Sequence, residues 1–294
     1  MEWMIMKNRI KDVWPFLIIL ASAILLIQLL YKPETRESII FFPIDQNASF
    51  LSASTSLSLT QQKDQVVDWT VASELDTPAY LRQDVGLLFS NGKLKGVLNK
   101  WKPNTTSLYQ KMKVEDDESN LLQAVAYHYA EIHEGEDTFK SAQTMSSEQL
   151  YIIDSSFSPL GSFKTPTTDV QAEWKKSLDR LVTKTVDTSW AKGMKELQIN
   201  AGDYNALPLT ELPAYSSRPY PGFTPAQWAK VTGNLWEGLY KNYAIGIKKE
   251  DGAILNPVDS TIPLILLKKD RKEVLVLIID KKGEASLLRQ AISY

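Results

Sequence analysis

Val85-Gly-Leu-Leu-Phe-Ser-Asn91-Gly92-Lys-Leu-Lys-Gly-Val-Leu98 is the stretch on which the fold turns. Two apolar runs flank Asn-Gly, the pair that most readily takes the positive φ values of a type I′ turn, whose twist suits paired strands. The segment predicts a β-hairpin and, with it, an antiparallel sheet. Upstream, Val66–Val71 reads as a strand. Residues 32–64, rich in Ser, Thr and Gln, read as a stalk that ends in a first strand. Downstream, Leu108–Val114 alternates as a strand, and Phe139–Thr144 and Leu150–Asp154 read as another pair.

Three helices are expected among these strands. In Asn120–His133, Leu121, Leu122, Val125, Tyr129 and Ile132 recur near helical spacing. The acidic run Glu115–Glu118 would then sit at the positive end of that helix dipole. A second helix spans Asp169–Val186, with Asp169 as N-cap and Val170, Trp174, Leu178, Leu181 and Val182 facing inward. In the third, Thr224 caps, Pro225 opens, and Trp228, Val231, Leu235, Trp236 and Leu239 form the stripe. Between them, residues 206–225 hold five prolines interleaved with Tyr215, Tyr220 and Phe223, which forbids a continuous helix or central strand and predicts an extended connection.

The chain closes with strands at Tyr243–Lys248, Ile262–Leu267 and Val274–Ile279, a turn at Asp251-Gly252, and a short element near Leu287. The second and third of these strands are almost wholly apolar, as strands covered on both faces are. Lys268–Lys272 reads as a solvated hairpin tip. Strands, helix, strands, two helices, strands is the order of an α+β fold with a largely antiparallel sheet and about three packed helices. Residues 65–205 form its first part, 206–225 the connection and 226–294 the second part.

Over the whole chain, 294 residues with 44% hydrophobic and 23% charged side chains and a net charge of −2 describe a globular protein and exclude a disordered or collagen-like one. That charge also argues against a nucleic-acid binder, which presents a basic face. The cysteine count is zero. Disulfides, zinc–thiolate sites, thiol nucleophiles, iron–sulfur clusters and lipoprotein-type acylation are thereby excluded.

One run stands apart. Val13–Tyr31 is nineteen residues without a charge, about 28 Å of helix against a hydrocarbon core of about 30 Å. Trp14 and Tyr31 mark its ends as interfacial rings do. A cleaved signal peptide fits poorly, because the small-residue site Ala21-Ser22-Ala23 falls mid-run and cutting there would strand Ile24–Leu30. A buried core helix seldom carries so long an uncharged stretch on every face. The expectation is a single transmembrane helix at 13–31. Lys7, Arg9 and Lys11 precede it and Lys32 and Arg36 follow, which places the tail 1–12 in the cytoplasm and the rest outside. Within the helix, Ala21, Ser22 and Ala23 would allow close approach of a partner helix, and Gln28 would hydrogen-bond across it. Setting aside the three basic and two acidic residues of positions 1–31 leaves 263 residues with 30 basic and 33 acidic side chains.

Catalytic patterns are sparse. His128, Glu131 and His133 miss the spacing of a helical zinc site, since residues five apart diverge by about 140°. The acidic run lacks the calcium-loop spacing. Ser189-Trp-Ala-Lys192 matches Ser-x-x-Lys, but the Lys-Thr-Gly partner is missing. Nucleophile-elbow, phosphate-loop and dinucleotide fingerprints do not occur. Carboxylate pairs for glycan hydrolysis depend on spacing in three dimensions. No metal or cofactor is expected. These features predict a membrane-anchored extracytoplasmic protein of the bacterial envelope, an accessory or regulatory component acting through a protein partner. Tyr215, Arg218, Tyr220, Phe223 and Trp228 are the partner-binding candidates, because Tyr, Trp and Arg dominate binding hot spots. The alternatives are an anchored cell-wall enzyme, a glycan hydrolase or a serine acyl hydrolase using Ser189 and Lys192, and a solute-binding module, which requires a deep pocket.

Overall fold

Asn91 and Gly92 take φ values of 47° and 81°, and the hairpin they close is far longer than its local signal. Its arms are β2 (Val66–Ser90) and β3 (Lys93–Glu115), paired from Val66↔Glu115 to Ser90↔Lys93. The computed structural model describes residues 40–61, 65–116, 118–135, 137–156, 158–248 and 254–292. The apolar run 13–31, with Ala21, Ser22, Ala23 and Gln28, the tail 1–12 and the Asp251-Gly252 turn lie outside them. Among the described residues no helix is long and apolar enough to cross a membrane.

The ribbon bends where the β2–β3 register shifts, between Glu74 and Ala79. Beyond the bend its two halves join different layers. The first half of β2 pairs with β1 (Phe50–Gln61), while the second half pairs with β4 (Asn120–Glu134), which continues to β5 (Thr138–Ser155) and β6 (Ser158–Phe163). Between the layers lie Leu57, Trp69, Val71, Leu88, Ala124 and Ile152, all buried. Close approach depends on glycine: a Cβ on Gly86 would stand 2.7 Å from the Trp69 ring.

The other face of the second layer carries the larger core. Against Val85, Leu87, Val125, Tyr127 and Tyr151 pack α1 (Asp169–Glu196), α2 (Pro225–Tyr243) and a four-stranded antiparallel sheet. That sheet runs in the order β12 (Ala285–Ala291), β11 (Glu273–Ile279), β10 (Leu264–Lys268), β7 (Tyr204–Pro208). β8 (Ile247–Lys248) and β9 (Ile254–Leu255) form a separate pair. The hairpin tip joins the two sheets, because Leu94 N–H donates to Ser260 O at 2.8 Å and Ile262 N–H to Gly92 O at 3.0 Å. α+β architecture with a mostly antiparallel sheet is what the structure shows.

Several expectations require correction. Asn120–His133 is strand β4, not a helix. Leu121, Val125, Tyr127 and Tyr129 enter the helix-covered core, while Leu122, Ala124 and Ala126 enter the inter-layer core. Burial on both faces erased the polar alternation that marks a half-buried strand, and the leucines and tyrosine left over happened to match helical spacing. Glu115–Glu118 therefore serves no helix dipole, and Asp116 instead accepts from Ser90 Oγ at 2.8 Å. Leu108–Val114 is only the end of β3, and Phe139–Thr144 and Leu150–Asp154 are two parts of one strand rather than a pair. The cap of α1 is Thr168, whose hydroxyl accepts from Gln171 N. Val170 and Leu181 lie exposed, since the helix turns Leu178, Val182, Val186 and Trp190 inward. Tyr243 ends α2 instead of starting a strand.

The third expected helix matches in detail, with Thr224 and Gln227 forming a reciprocal capping box and all five stripe residues buried. In the proline segment, β7 sits on a sheet edge and Leu209–Tyr215 is a 3-10 helix that tolerates Pro213.

Candidate functional site

Residues 40–46 run along the start of β5. Ser141 N–H donates to Pro43 O and Asp45 N–H to Ser141 O, both at 2.8 Å, and Tyr129 Oη donates to Ile40 O at 2.6 Å. Extended backbone sends successive side chains to opposite sides. Phe41 sits on Gly233 of α2, where a Cβ would meet its ring at 2.1 Å, while Phe42 contacts the Phe139 ring with centroids 5.6 Å apart.

Beside this strap opens a cleft of about 930 Å³. Its floor includes Tyr127, Gln143 and Met145 from the sheet with Ser216 bonded to it, and its walls are the strap, Tyr215, residues 217–219 and the first turns of α2. Three of the sequence candidates, Tyr215, Arg218 and Trp228, line it. Tyr220 and Phe223 stand behind them, with ring centroids 5.7 Å and 5.5 Å from that of Trp228. The arrangement follows from local rules. Proline density keeps 216–224 out of regular structure, the capping box starts α2 at Pro225, and Trp228 Nε1 donates to Tyr215 O at 2.9 Å, tying segment to helix. Sequence reasoning found this wall but missed the floor. Gln143, Met145 and Ser216 carried no motif.

The floor is internally satisfied. Tyr127 Oη donates to Gln143 Oε1, and Gln143 Nε2 donates to Ala229 O at 2.6 Å. Ser216 Oγ accepts from Met145 N at 2.9 Å and contacts Thr144 Oγ1 at 3.0 Å. Below it, Trp236 stacks on Tyr127 at 5.1 Å between centroids. Burial pushes the hydroxyls of Tyr127, Tyr129 and Tyr243 up from the ordinary tyrosine value. The fold thus favours their neutral forms. Their contribution to stability is fully present below the unfolded value of about 10 and is lost as pH rises above it, because the unfolded chain releases those protons first. Denaturation midpoints should fall between about pH 9.5 and 11, and Tyr243→Phe should flatten the fall. An unchanged pH profile in that variant contradicts the assignment for Tyr243.

The catalytic patterns read from sequence do not assemble here. On a strand, His128 and His133 point to opposite faces; His128 is buried, and His133 Nε2 meets Glu131 Oε1 at 2.5 Å. No cluster of metal-ligating side chains occurs among the described residues. Ser189 Oγ donates to Thr185 O at 3.0 Å, and Lys192 Nζ to Gly283 O at 3.5 Å, so neither engages the other.

A series the sequence did not reveal runs from Asp84 and His128, both fully buried, to the half-buried Ser146. Asp84 Oδ2 lies 3.0 Å from His128 Nδ1 without hydrogen-bond alignment, and His128 Nε2 is 2.8 Å from Ser146 Oγ. Ser146 Oγ in turn meets Thr55 Oγ1 of β1 at 2.6 Å, and the cleft includes neither His128 nor Ser146. The series bridges the two sheet layers. Compared with protein-family models, with curated proteins and with solved structures, the chain matches none of them.

Proposed function

We propose that this chain is a membrane-tethered accessory protein of the bacterial envelope that works by binding another envelope protein, and that the cleft beside α2 is its recognition element. The observation that carries the reading is the cleft itself. An apolar floor with an aromatic wall and Arg218 at its rim is the composition of a protein-binding hot spot. The uncharged run 13–31 supports the tether, and the excess of basic residues before it supports a domain outside the cytoplasm. Tyr220 and Phe223 support the wall from behind, so their truncation would weaken recognition by loosening Trp228.

A photoreactive p-benzoylphenylalanine at the exposed rim residue Ser217 tests this in the native host. A discrete protein adduct is expected from position 217 and not from Arg289, exposed on β12. A second reading, a solute-binding module, shares the cavity, whose size falls within the range of about 300–1,000 Å³ typical of small-ligand sites. It predicts no protein adduct from either position. That result would overturn the partner reading.

A further inference from the structure

Hydrogen-bond accounting in the cleft points to the chemistry of its occupant. The polar groups of the floor and of the helix cap are matched to one another: Tyr127 with Gln143, Gln143 with Ala229 O, Ser216 with Met145 N, and Thr224 with Gln227. Besides the Gln46 carboxamide and the Tyr215 hydroxyl, which can both donate and accept, three lining groups remain. They are the Arg218 guanidinium, the Ser217 hydroxyl, and the N–H of Ala226, which as the second residue of α2 has no intrahelical acceptor. Two of these can only donate. The positive end of the α2 helix dipole opens at the same place.

Among the lining residues there is no Asp or Glu. That composition runs against the chain as a whole, where acidic side chains outnumber basic ones, 35 to 33. A rim of donors over an apolar floor matches a ligand with an apolar body and an anionic end. Arginine's planar fork fits a carboxylate with two parallel hydrogen bonds.

Resting on the partner-binding reading, we infer that the occupant is a segment of the partner that seats a large apolar side chain on the floor of Tyr127 and Met145, against the Trp228 wall. The same segment presents an Asp or Glu carboxylate to Arg218 and the start of α2. The carboxylate fixes the register of the segment, and the apolar side chain supplies most of the affinity, as at other clefts where a desolvated anchor sits inside a polar rim. Basic segments are rejected by like charge, which gives the cleft its discrimination.

The test uses the full chain in native membranes with p-benzoylphenylalanine at Ser217. Arg218→Glu should lower the yield of the protein adduct by roughly tenfold or more, and Arg218→Lys should keep most of it, because the charge survives without the fork. Both variants alter an exposed side chain, and an unchanged melting temperature in each confirms that the fold is intact. The partner peptide mapped by mass spectrometry should carry an acidic residue within about three positions of an aliphatic or aromatic one. A protein adduct insensitive to Arg218→Glu, or mapped to a peptide without a carboxylate, overturns this inference and leaves the partner reading standing. Absence of any protein adduct, or an adduct to lipid alone, overturns both.

Discussion

Arg82→Met is expected to destabilise the fold by roughly 3–5 kcal/mol, the cost of breaking a buried charge pair by removing one partner. Arg82 and Asp84 are both fully buried. The guanidinium holds several strands at the bend of the long ribbon: Nη2 donates to Ser73 Oγ at 2.6 Å, Nε to Tyr129 O at 3.3 Å, and Nη1 to Thr106 O. Its carbon end lies 4.8 Å from the centroid of the Phe50 ring. Ser73 Oγ then donates to Asp84 Oδ2 at 2.6 Å, and the guanidinium lies 3.7 Å from Asp84 Oδ1.

Burial lowers the Arg82 pKa, and the Asp84 charge opposes that shift. Methionine fills much of the volume but leaves two backbone carbonyls short of a donor and the carboxylate short of its counter-charge. Chemical denaturation of the full chain in detergent, followed by tryptophan fluorescence, measures the loss. The double variant Arg82→Met, Asp84→Leu should recover part of it, since removing both charges removes the uncompensated one. A double variant less stable than Arg82→Met alone contradicts this account of the network.

Gly92→Val is the second large effect expected, roughly 2–5 kcal/mol from backbone strain and overpacking together. The residue sits at φ 81°, in the left-handed region that β-branched side chains resist. It also lies against α1, where a Cβ would stand 2.6 Å from Val186 Cγ1. The two causes separate in one experiment. Adding Val186→Ala to Gly92→Ala makes room for the new methyl group but leaves the φ strain in place, so rescue should be partial. Full rescue contradicts the strain component, and no rescue contradicts the steric one.

The same glycine shows how much of the fold was legible in the sequence. Asn91-Gly92 announced its turn because only a few residue types accept positive φ at two successive positions. Nothing local announced that β2 would run on to 25 residues and serve two layers, because a bend inside a strand is set by what each half packs against. Thr224-Pro225 announced α2 for a similar reason, since capping is chemistry within one turn of helix.

β4 was opaque. Leucine on both faces, and alanines opposite tyrosines, satisfy a helical template as readily as a two-sided strand. The alternation of small and large residues in Ala124-Val-Ala-Tyr-His-Tyr-Ala130 is the one local trace of its true period. For the cleft, the wall was visible as aromatic residues among prolines, whereas the floor residues Gln143, Met145 and Ser216 meet only through the pairing of β4 with β5 and the return of the chain after β7. Arg82, Asp84, His128 and Ser73 were invisible as a network for the same reason: each is an ordinary polar residue until the ribbon bends.

Both functional proposals depend on a binding domain held outside the membrane by its N-terminal segment, and the lack of cysteine in the chain allows a direct measurement. Single-cysteine variants Asp270→Cys, at the exposed β10–β11 tip, and Asn8→Cys, in the tail, would be treated in intact cells of the native host with a membrane-impermeant maleimide. With the domain outside and the tail inside, position 270 should be modified without permeabilisation and position 8 only after it. Modification of position 8 in intact cells, or protection of position 270 until lysis, would contradict that arrangement.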